Sequence, residues 1–482
     1  MRRVTSFVYG RAAQLELPNL YNLSNLKSGA ILVATNRSEE QRIHSVYGFG
    51  QVAYKTYFFL DFTARNDWSS LLSEKNNAFF YPSVNTSIVL SDIFKTKSIN
   101  IDLLKVRAGW AKVGSTGALQ AYNLNDIFNL TPGGFGNIGT LPAIEYDPNI
   151  SPESNTGKEI GLDVNAFSNR LRFAATYYIQ ESKDLILPVD VSRASGFAQS
   201  VQNAASLENK GIELQLGVTA LKTPNFSFDI DLNFAQNKNT VLSLGDSDAV
   251  VLGQGVFGVS VEARVGQPYG VLFGTDFVRD ANNNVVHKNG LPELDPVKKI
   301  LGNVAPDWTG GANFSFKYKN FEFTTLIDAK IGGDIHSLTN TFGRFAGVLE
   351  ETLIGREGGL IAAGVMSDGA GGYVPNNVVV SAEDYNKVAF GSNAHSSSIF
   401  DASYVKLRQM TFGFSMPRKL LKGLSIEDVK FSVVARNLAI LLRNTPHIDP
   451  ETAFSSGNNA LGLEFGQVSA ARSIGFNINV KF

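Results

Sequence analysis

The sequence predicts an all-β chain, a transmembrane antiparallel β-barrel, on three observations. Apolar and polar residues alternate with period two in runs of about ten residues, the length a tilted strand needs to cross a bilayer. Short turns alternate with long connections along the chain. The segment from Ala471 is a strand that runs to the last residue, the aromatic Phe482.

About fourteen such runs are expected as strands, near 45–55, 57–67, 80–92, 101–113, 157–167, 170–182, 209–220, 225–237, 267–280, 309–319, 321–331, 404–416, 426–437 and 470–482. In 225–237, Phe226, Phe228, Ile230, Leu232 and Phe234 share one face, while Ser227, Asp229, Asp231 and Asn233 share the other. In 209–220, Ile212, Leu214, Leu216 and Val218 oppose Glu213, Gln215 and Thr219. Near Arg408–Gln409 the period slips from odd (Val405, Leu407) to even (Met410, Phe412, Phe414), which reads as a β-bulge or, equally, as the strand's entry into the bilayer. In the last strand Ile474, Phe476, Ile478, Val480 and Phe482 are apolar and the residues between them small or polar. Those five are the candidate lipid-facing residues. A soluble sheet that ended this way would leave a bare edge, whereas a barrel needs its last strand to close the ring.

The connections Lys55-Thr56, Ser168-Asn169, Lys222-Thr223-Pro224 and Lys319-Asn320 read as tight turns. Long loops are expected near 114–156, 183–208, 238–308, 332–403 and 438–469, on one side of the wall. That bias separates an outer-membrane barrel from a soluble β-sandwich.

Composition agrees. Across 482 residues, 43 basic and 44 acidic side chains leave a net charge of −1, so no bulk charge points to nucleic acid. With no Cys, disulfides, thiolate zinc sites and cysteine nucleophiles are excluded. A mean hydropathy of −0.03 is too polar for a helical membrane protein, but alternating strands cancel to such a value. The opening Met-Arg-Arg-Val has no apolar core after it and does not read as a secretory signal peptide.

An ordered set of words runs through the chain: Ser45-Val-Tyr-Gly, Tyr54-Lys-Thr-Tyr-Phe-Phe-Leu, Arg65-Asn-Asp-Trp-Ser-Ser, Phe80-Tyr-Pro-Ser and Lys105-Val-Arg-Ala-Gly-Trp-Ala-Lys-Val-Gly. Pro152-Glu, Glu159-Ile-Gly-Leu, Glu208-Asn-Lys-Gly-Ile-Glu-Leu, Leu301-Gly-Asn and Pro306-Asp-Trp follow, then Gly332-Gly-Asp-Ile, Asp401-Ala-Ser-Tyr-Val-Lys-Leu-Arg and Arg472-Ser-Ile-Gly-Phe. The set resembles the C-terminal part of SusC/RagA-like TonB-dependent outer-membrane transporters of Bacteroidetes, over nearly the whole chain from about Leu15. The resemblance implies a barrel of 22 strands around a plug in the intact protein, of which residues 1–482 would supply about fourteen. The other strands, the plug and the TonB-contact segment have no counterpart here. It further implies import of oligosaccharides or peptides with a SusD-like surface lipoprotein, driven by the TonB–ExbB–ExbD complex. The terminal Phe482 would be read by the barrel-assembly machinery, and the location would be the cell outer membrane.

Other motifs fail on context. Gly253-Gln-Gly-Val-Phe-Gly258 spells a dinucleotide fingerprint but lacks a following helical period, and reads as a flexible loop. Asp280-Ala-Asn-Asn-Asn starts like a calcium loop, yet Val285 and Leu291 stand where Gly and Glu are needed, so it reads as a polar turn. His44, His287, His336, His395 and His447 lack metal-ligand spacing. Glu350-Glu351 and Asp449/Glu451 lie in loop-like stretches and read as solvated. Nothing supports catalysis, so no enzyme activity, cofactor or metal is expected. The loops carry Tyr122, Phe128, Phe135, Tyr146, Phe257, Phe342, Phe345, Tyr373 and Tyr385, aromatics that suit sugars or peptides but also pack loops together. The competing reading is an adhesin-like barrel that binds surface ligands without transport, with a lipase-type outer-membrane enzyme third.

Overall fold

The computed structural model describes residues 2–12, 32–125, 129–133, 136–391, 393–423, 425–452 and 461–482. Its main sheet has fourteen strands, of which short Ile144–Tyr146 lies off the path. The remaining thirteen form one antiparallel meander in chain order: Ile43–Tyr54, Phe58–Ser69, Ala78–Val89, Ile101–Ser115, Glu153–Ala166, Leu171–Asp190, Gln199–Lys222, Phe226–Leu244, Trp308–Tyr318, Phe321–Ile331, Tyr404–Ser415, Asp428–Arg443 and Ser473–Lys481. Among the described residues, the first and last strands each pair on one side only. A separate hairpin, Arg2–Ala12 with Leu32–Gln41, lies where no strand was expected.

The ladder keeps each residue's face fixed across the sheet. One row runs Tyr54, Phe58, Ile88, Val106, Leu162, Ala175, Leu214, Phe234, Gly310, Ala329, Val405 and Leu442, each opposite the next. A second row carries Phe228, Phe316, Phe323, Phe412, Val433 and Phe476. Phe228 and Phe316 stack with centroids 4.3 Å apart. The opposite face carries rows such as Lys105, Asp163, Ala174, Gln215, Asn233, Gly311, Asp328 and Lys406.

The expected bulge is present. Leu326 pairs with Gln409 and Ile327 with Leu407, so Arg408 is the extra residue. It returns Val405 and Leu407 to the face of Met410, Phe412 and Phe414. Positive φ at Lys55, Phe167, Ser168, Asn169 and Lys319 forms the tight turns at one end of the wall.

Two expectations need correction. Residues 267–280 are not a wall strand. Only Val271–Gly274 is extended, in a four-stranded sheet with Ala249–Gln254, Ser260–Arg264 and Lys299–Asn303. Val271 and Leu272 are buried in succession, so both faces are covered and neither can face solvent or lipid. Residues 183–208 are not a long loop. The strands Leu171–Asp190 and Gln199–Lys222 run on, leaving only 191–198 as a turn. A register shift after Ser182, with Asp184 at φ 59, flips the alternation and hides the continuation.

The long connections are structured rather than bare. They hold four small sheets and two eight-residue helices, Leu338–Phe345 and Ala382–Ala389. Ser337 and Ser381 cap those helices by accepting from Asn340 N and Asp384 N. The buried hydrophobic clusters lie largely in this loop cap and in the strand ends beneath it: Leu71, Leu72, Leu119, Ile150, Ile186 and Val201 in one, Val259, Val261, Leu272 and Leu463 in another. The wall's apolar face has no such cover.

One ionic cluster ties the cap to the wall. Lys406, only 5% exposed at its side chain, donates to Asp449 Oδ1 at 2.6 Å and also to Glu451. Arg408 forks onto Glu451 with bonds of 2.7 and 2.6 Å and also reaches Asp328. Tyr404 Oη donates to Glu451 Oε1 at 2.9 Å. The solvated reading of Asp449 and Glu451 is therefore wrong: lysine and arginine on the neighbouring strand pull both onto the wall. Burial alone would raise the Glu451 pKa, but bonds from Arg408 and Lys406 hold it down at about 2.

Lys406→Met leaves the Asp449 carboxylate buried without its ammonium, and should destabilise the attachment of 444–452 by about 3–5 kcal/mol. Hydrogen exchange of those amides measures it, and unchanged protection would refute it. Because Glu451 is depressed in the folded state, its contribution is complete above its ordinary pKa of 4.5 and fades as pH falls towards 2.

Candidate functional site

The site that geometry offers is the polar face of the wall with the loop cap above it. Cross-strand charges on this face pair laterally: Lys105 with Asp163 at 3.0 Å, Arg107 with Glu159 at 3.4 Å, Arg172 with Asp231 at 3.1 Å and Lys430 with Glu322 at 2.7 Å. These pairs are partly exposed, so each contributes roughly 0–1 kcal/mol. Their main effect is to keep the face polar without leaving bare charge. Asn209 Oδ1 accepts from both Asn237 and Asn239 at 2.9 Å, and Tyr178 Oη donates to Asn237 Oδ1 at 3.1 Å. Such amides and hydroxyls can exchange bonds with a polar ligand.

The cap is locked internally. Glu464, 1% exposed, accepts from Ser337 Oγ and Thr339 Oγ1 at 2.6 Å, from Thr339 N at 3.2 Å and from Gly466 N at 2.6 Å. It joins the 332–403 and 444–472 connections through hydroxyls and backbone. His336 and His395 meet edge-on with ring centroids 6.0 Å apart. Thr275 N donates to His395 Nδ1 at 3.0 Å, so Nε2 carries the proton and donates to the Phe257 carbonyl at 3.0 Å. Burial first, then His395, pushes the His336 pKa down to about 3, and the ring packs as a neutral group. Among the described residues no cluster of three or more metal-ligating side chains occurs.

The other sequence candidates fall as follows. Gly253–Gly258 joins two strands of the small sheet, a hairpin corner rather than a phosphate loop. Asp280 Oδ1 accepts from Asn282 N and Asn284 N at 2.9 and 2.8 Å, which is a polar turn. Glu351 is not merely solvated: it pairs with Arg344 at 3.1 Å and His447 at 3.1 Å. Tyr146 packs into a buried cluster, and Phe257 meets Phe342 edge-on at 5.7 Å. Tyr122, Phe345 and Tyr373 are exposed, and Tyr385 meets Phe390 edge-on at 6.4 Å. Phe128 and Phe135 lie outside the described residues. Ile474, Phe476, Ile478 and Val480 lie opposite Ala435, Val433, Phe431 and Val429, on the apolar face, and are exposed with Phe482.

A cleft of about 700 Å³ opens in the cap between the end of Leu338–Phe345 and the start of Ala382–Ala389, lined by Arg344, Arg356 and Lys387 among others. Sequence reasoning missed it, because its cations sit in three separate segments with no shared period.

The family model described as TonB dependent receptor-like, beta-barrel, matches residues 3–382. TonB-dependent receptor P3 of Formosa agariphila is 26% identical over 504 residues, covering 96% of this chain and 48% of the relative. TonB-dependent receptor SusC of Bacteroides thetaiotaomicron is 27% identical over 313 residues, covering 60% of this chain and 31% of SusC. The solved RagAB peptide transporter superposes with a TM-score of 0.76 at 18% identity, over 97% of this chain and 51% of that one, a likeness of fold. The chain thus spans about half the length of these relatives, apart from the shorter SusC match. With four-fifths of its length matched by one family model, the chain belongs to the TonB-dependent receptor-like β-barrel family.

Proposed function

We propose that this chain forms a large part of the barrel wall of a nutrient importer in the bacterial outer membrane, its apolar face towards lipid and its polar face towards the lumen. The observation that carries this is the division of faces across thirteen strands. Phe321, Phe412, Ile160 and Leu232 are all exposed on the apolar side. Leaving such side chains in water forfeits roughly 1.5–3 kcal/mol each. Hydrocarbon removes that penalty, and the ladder satisfies the backbone groups that hydrocarbon cannot. Ile474, Phe476, Ile478, Val480 and Phe482 are assigned to lipid on the same ground.

The long connections would face outward. The segment 342–354 exposes Phe342, Phe345, Val348, Leu353 and Ile354, with Val348 at 76% and Ile354 at 70%. A patch of that kind supports docking of a partner, here a SusD-like lipoprotein. Cargo would be oligosaccharides or peptides, with energy from TonB–ExbB–ExbD. Structure and family favour transport rather than an enzyme. Cells lacking the gene should lose growth on at least one oligosaccharide or peptide source at limiting concentration. Unchanged growth on all sources, with lost surface adhesion, would instead establish the adhesin-like reading.

Ile478→Arg should cost about 2–4 kcal/mol near the membrane midplane, whereas Asn479→Arg should be mild. Equal membrane yields of the two variants would overturn the face assignment. Removal of Phe482 should lower insertion by the assembly machinery while purified protein still forms β-structure in detergent. Unchanged outer-membrane yield would count against that role.

A further inference from the structure

The cleft in the loop cap has an unusual charge arrangement. Its lining carries three cations, Arg344, Arg356 and Lys387, against one anion, Glu383, a net of +2. Lys387 and Glu383 pair with each other at 2.5 Å along their helix. The two guanidinium groups remain.

Arg344 lies 4.3 Å from the centroid of Phe390, and its Nε donates to Glu351 Oε1 at 3.1 Å. That carboxylate is shared with His447, whose Nε2 lies 3.1 and 3.2 Å from its two oxygens. Arg356 is fixed differently. Its Nε donates to the Thr352 carbonyl at 3.0 Å, and its Nη2 to Thr352 Oγ1 at 2.9 Å and to the Gly347 carbonyl. Gly347, at φ 69, turns the backbone beneath that guanidinium. All three acceptors are neutral, and among the described residues no carboxylate lies within ion-pair distance of Arg356. Arg356 is thus a positioned cation that lacks a counter-ion among the described residues and keeps its Nη1 donors for a ligand, beside a second guanidinium whose counter-ion is shared. The terminal nitrogens of Arg344 and the Nη1 of Arg356 can donate charge-assisted bonds to a carboxylate.

The rim identifies the rest of the ligand. Phe345 lines the cleft and is exposed, and Val348, Leu353 and Ile354 are exposed in the same segment of chain. Asn386 is committed, its Nδ2 donating to the Ala382 carbonyl at 2.8 Å. Aliphatic side chains match this rim better than the hydroxyl fringe of a sugar acid.

Resting on the reading of this chain as an importer of oligomeric nutrients, we propose that the cleft is a binding subsite for the carboxylate of a short peptide, held by Arg344 and Arg356 with an apolar side chain on the rim. The full chain is purified in detergent, and calorimetry compares three probes: an aliphatic tetrapeptide ending in aspartate, its amidated and asparagine-substituted analogue, and tetraglucuronate. The acidic peptide should bind at least about tenfold more tightly than its neutral analogue, since each charged bond contributes on that scale. Arg344→Gln with Arg356→Gln should abolish the difference. Arg356→Lys keeps the charge, loses the bonds to Thr352 and Gly347 that position it and should weaken binding several-fold with unchanged circular dichroism. Equal binding of the neutral analogue, binding of tetraglucuronate in place of the peptide, or unchanged affinity in Arg356→Lys and the double variant would each overturn the proposal. The importer reading fails separately: growth unchanged on every nutrient while the cleft still binds the acidic peptide rejects transport and leaves the subsite standing.

Discussion

Everything in this fold depends on one unbroken hydrogen-bond ladder. Thirteen strands pair with their sequence neighbours, so the face of each side chain follows from its place in the register. A slip of one residue in any strand would send its apolar set to the polar side. The bulge at Arg408 shows how tightly this is held. The chain spends an extra residue there so that Val405 and Leu407 stay on the face of Met410, Phe412 and Phe414. The same displacement brings Arg408 to Asp328 and Glu451. A device that repairs alternation on one face thereby supplies the cation that anchors the cap on the other.

The wall and the cap bury apolar surface in two different ways. The wall has an apolar face and no core beneath it; Phe412 and Ile478 are over half exposed. The cap behaves as a water-soluble protein does, with Val259, Leu272 and Ile335 almost fully buried. Its polar groups are answered in kind: Glu464 by hydroxyls and backbone, Lys406 by Asp449 and Glu451.

The wall was legible in the sequence because period two is a local property. Phe226 to Phe234 or Ile474 to Phe482 declare their face without reference to any other segment. The reading failed where the period was interrupted or mimicked. Asp184, with its positive φ, breaks the alternation, so the extension of Leu171–Asp190 reads as a loop. Gln267–Asp280 had strand-like composition, yet Val271 and Leu272 are both buried, which only tertiary packing decides. The charged contacts were invisible for a related reason. Lys406 and Asp449 are 43 residues apart, and no periodicity marks them as partners. The cleft is a further step removed, since Arg344, Arg356 and Lys387 converge only after two helices and a turn have packed.

These differences in origin imply different tolerance to change. With the apolar face towards lipid as proposed, a wall residue such as Leu232 needs only to remain apolar, because hydrocarbon makes no shape-specific demand on it. The polar face is more exacting. Arg172 must meet Asp231, and Lys430 must meet Glu322, at matching positions on strands that need not adjoin in sequence. The cap is the most demanding region, since Glu464 and Asp449 sit where an unmatched carboxylate would be left in a dry interior. Chemical individuality therefore rises from the apolar face of the wall through its polar face to the loops. A chain built this way can vary its loops while its wall stays the same, because the ladder that holds the wall makes no reference to the loops it carries.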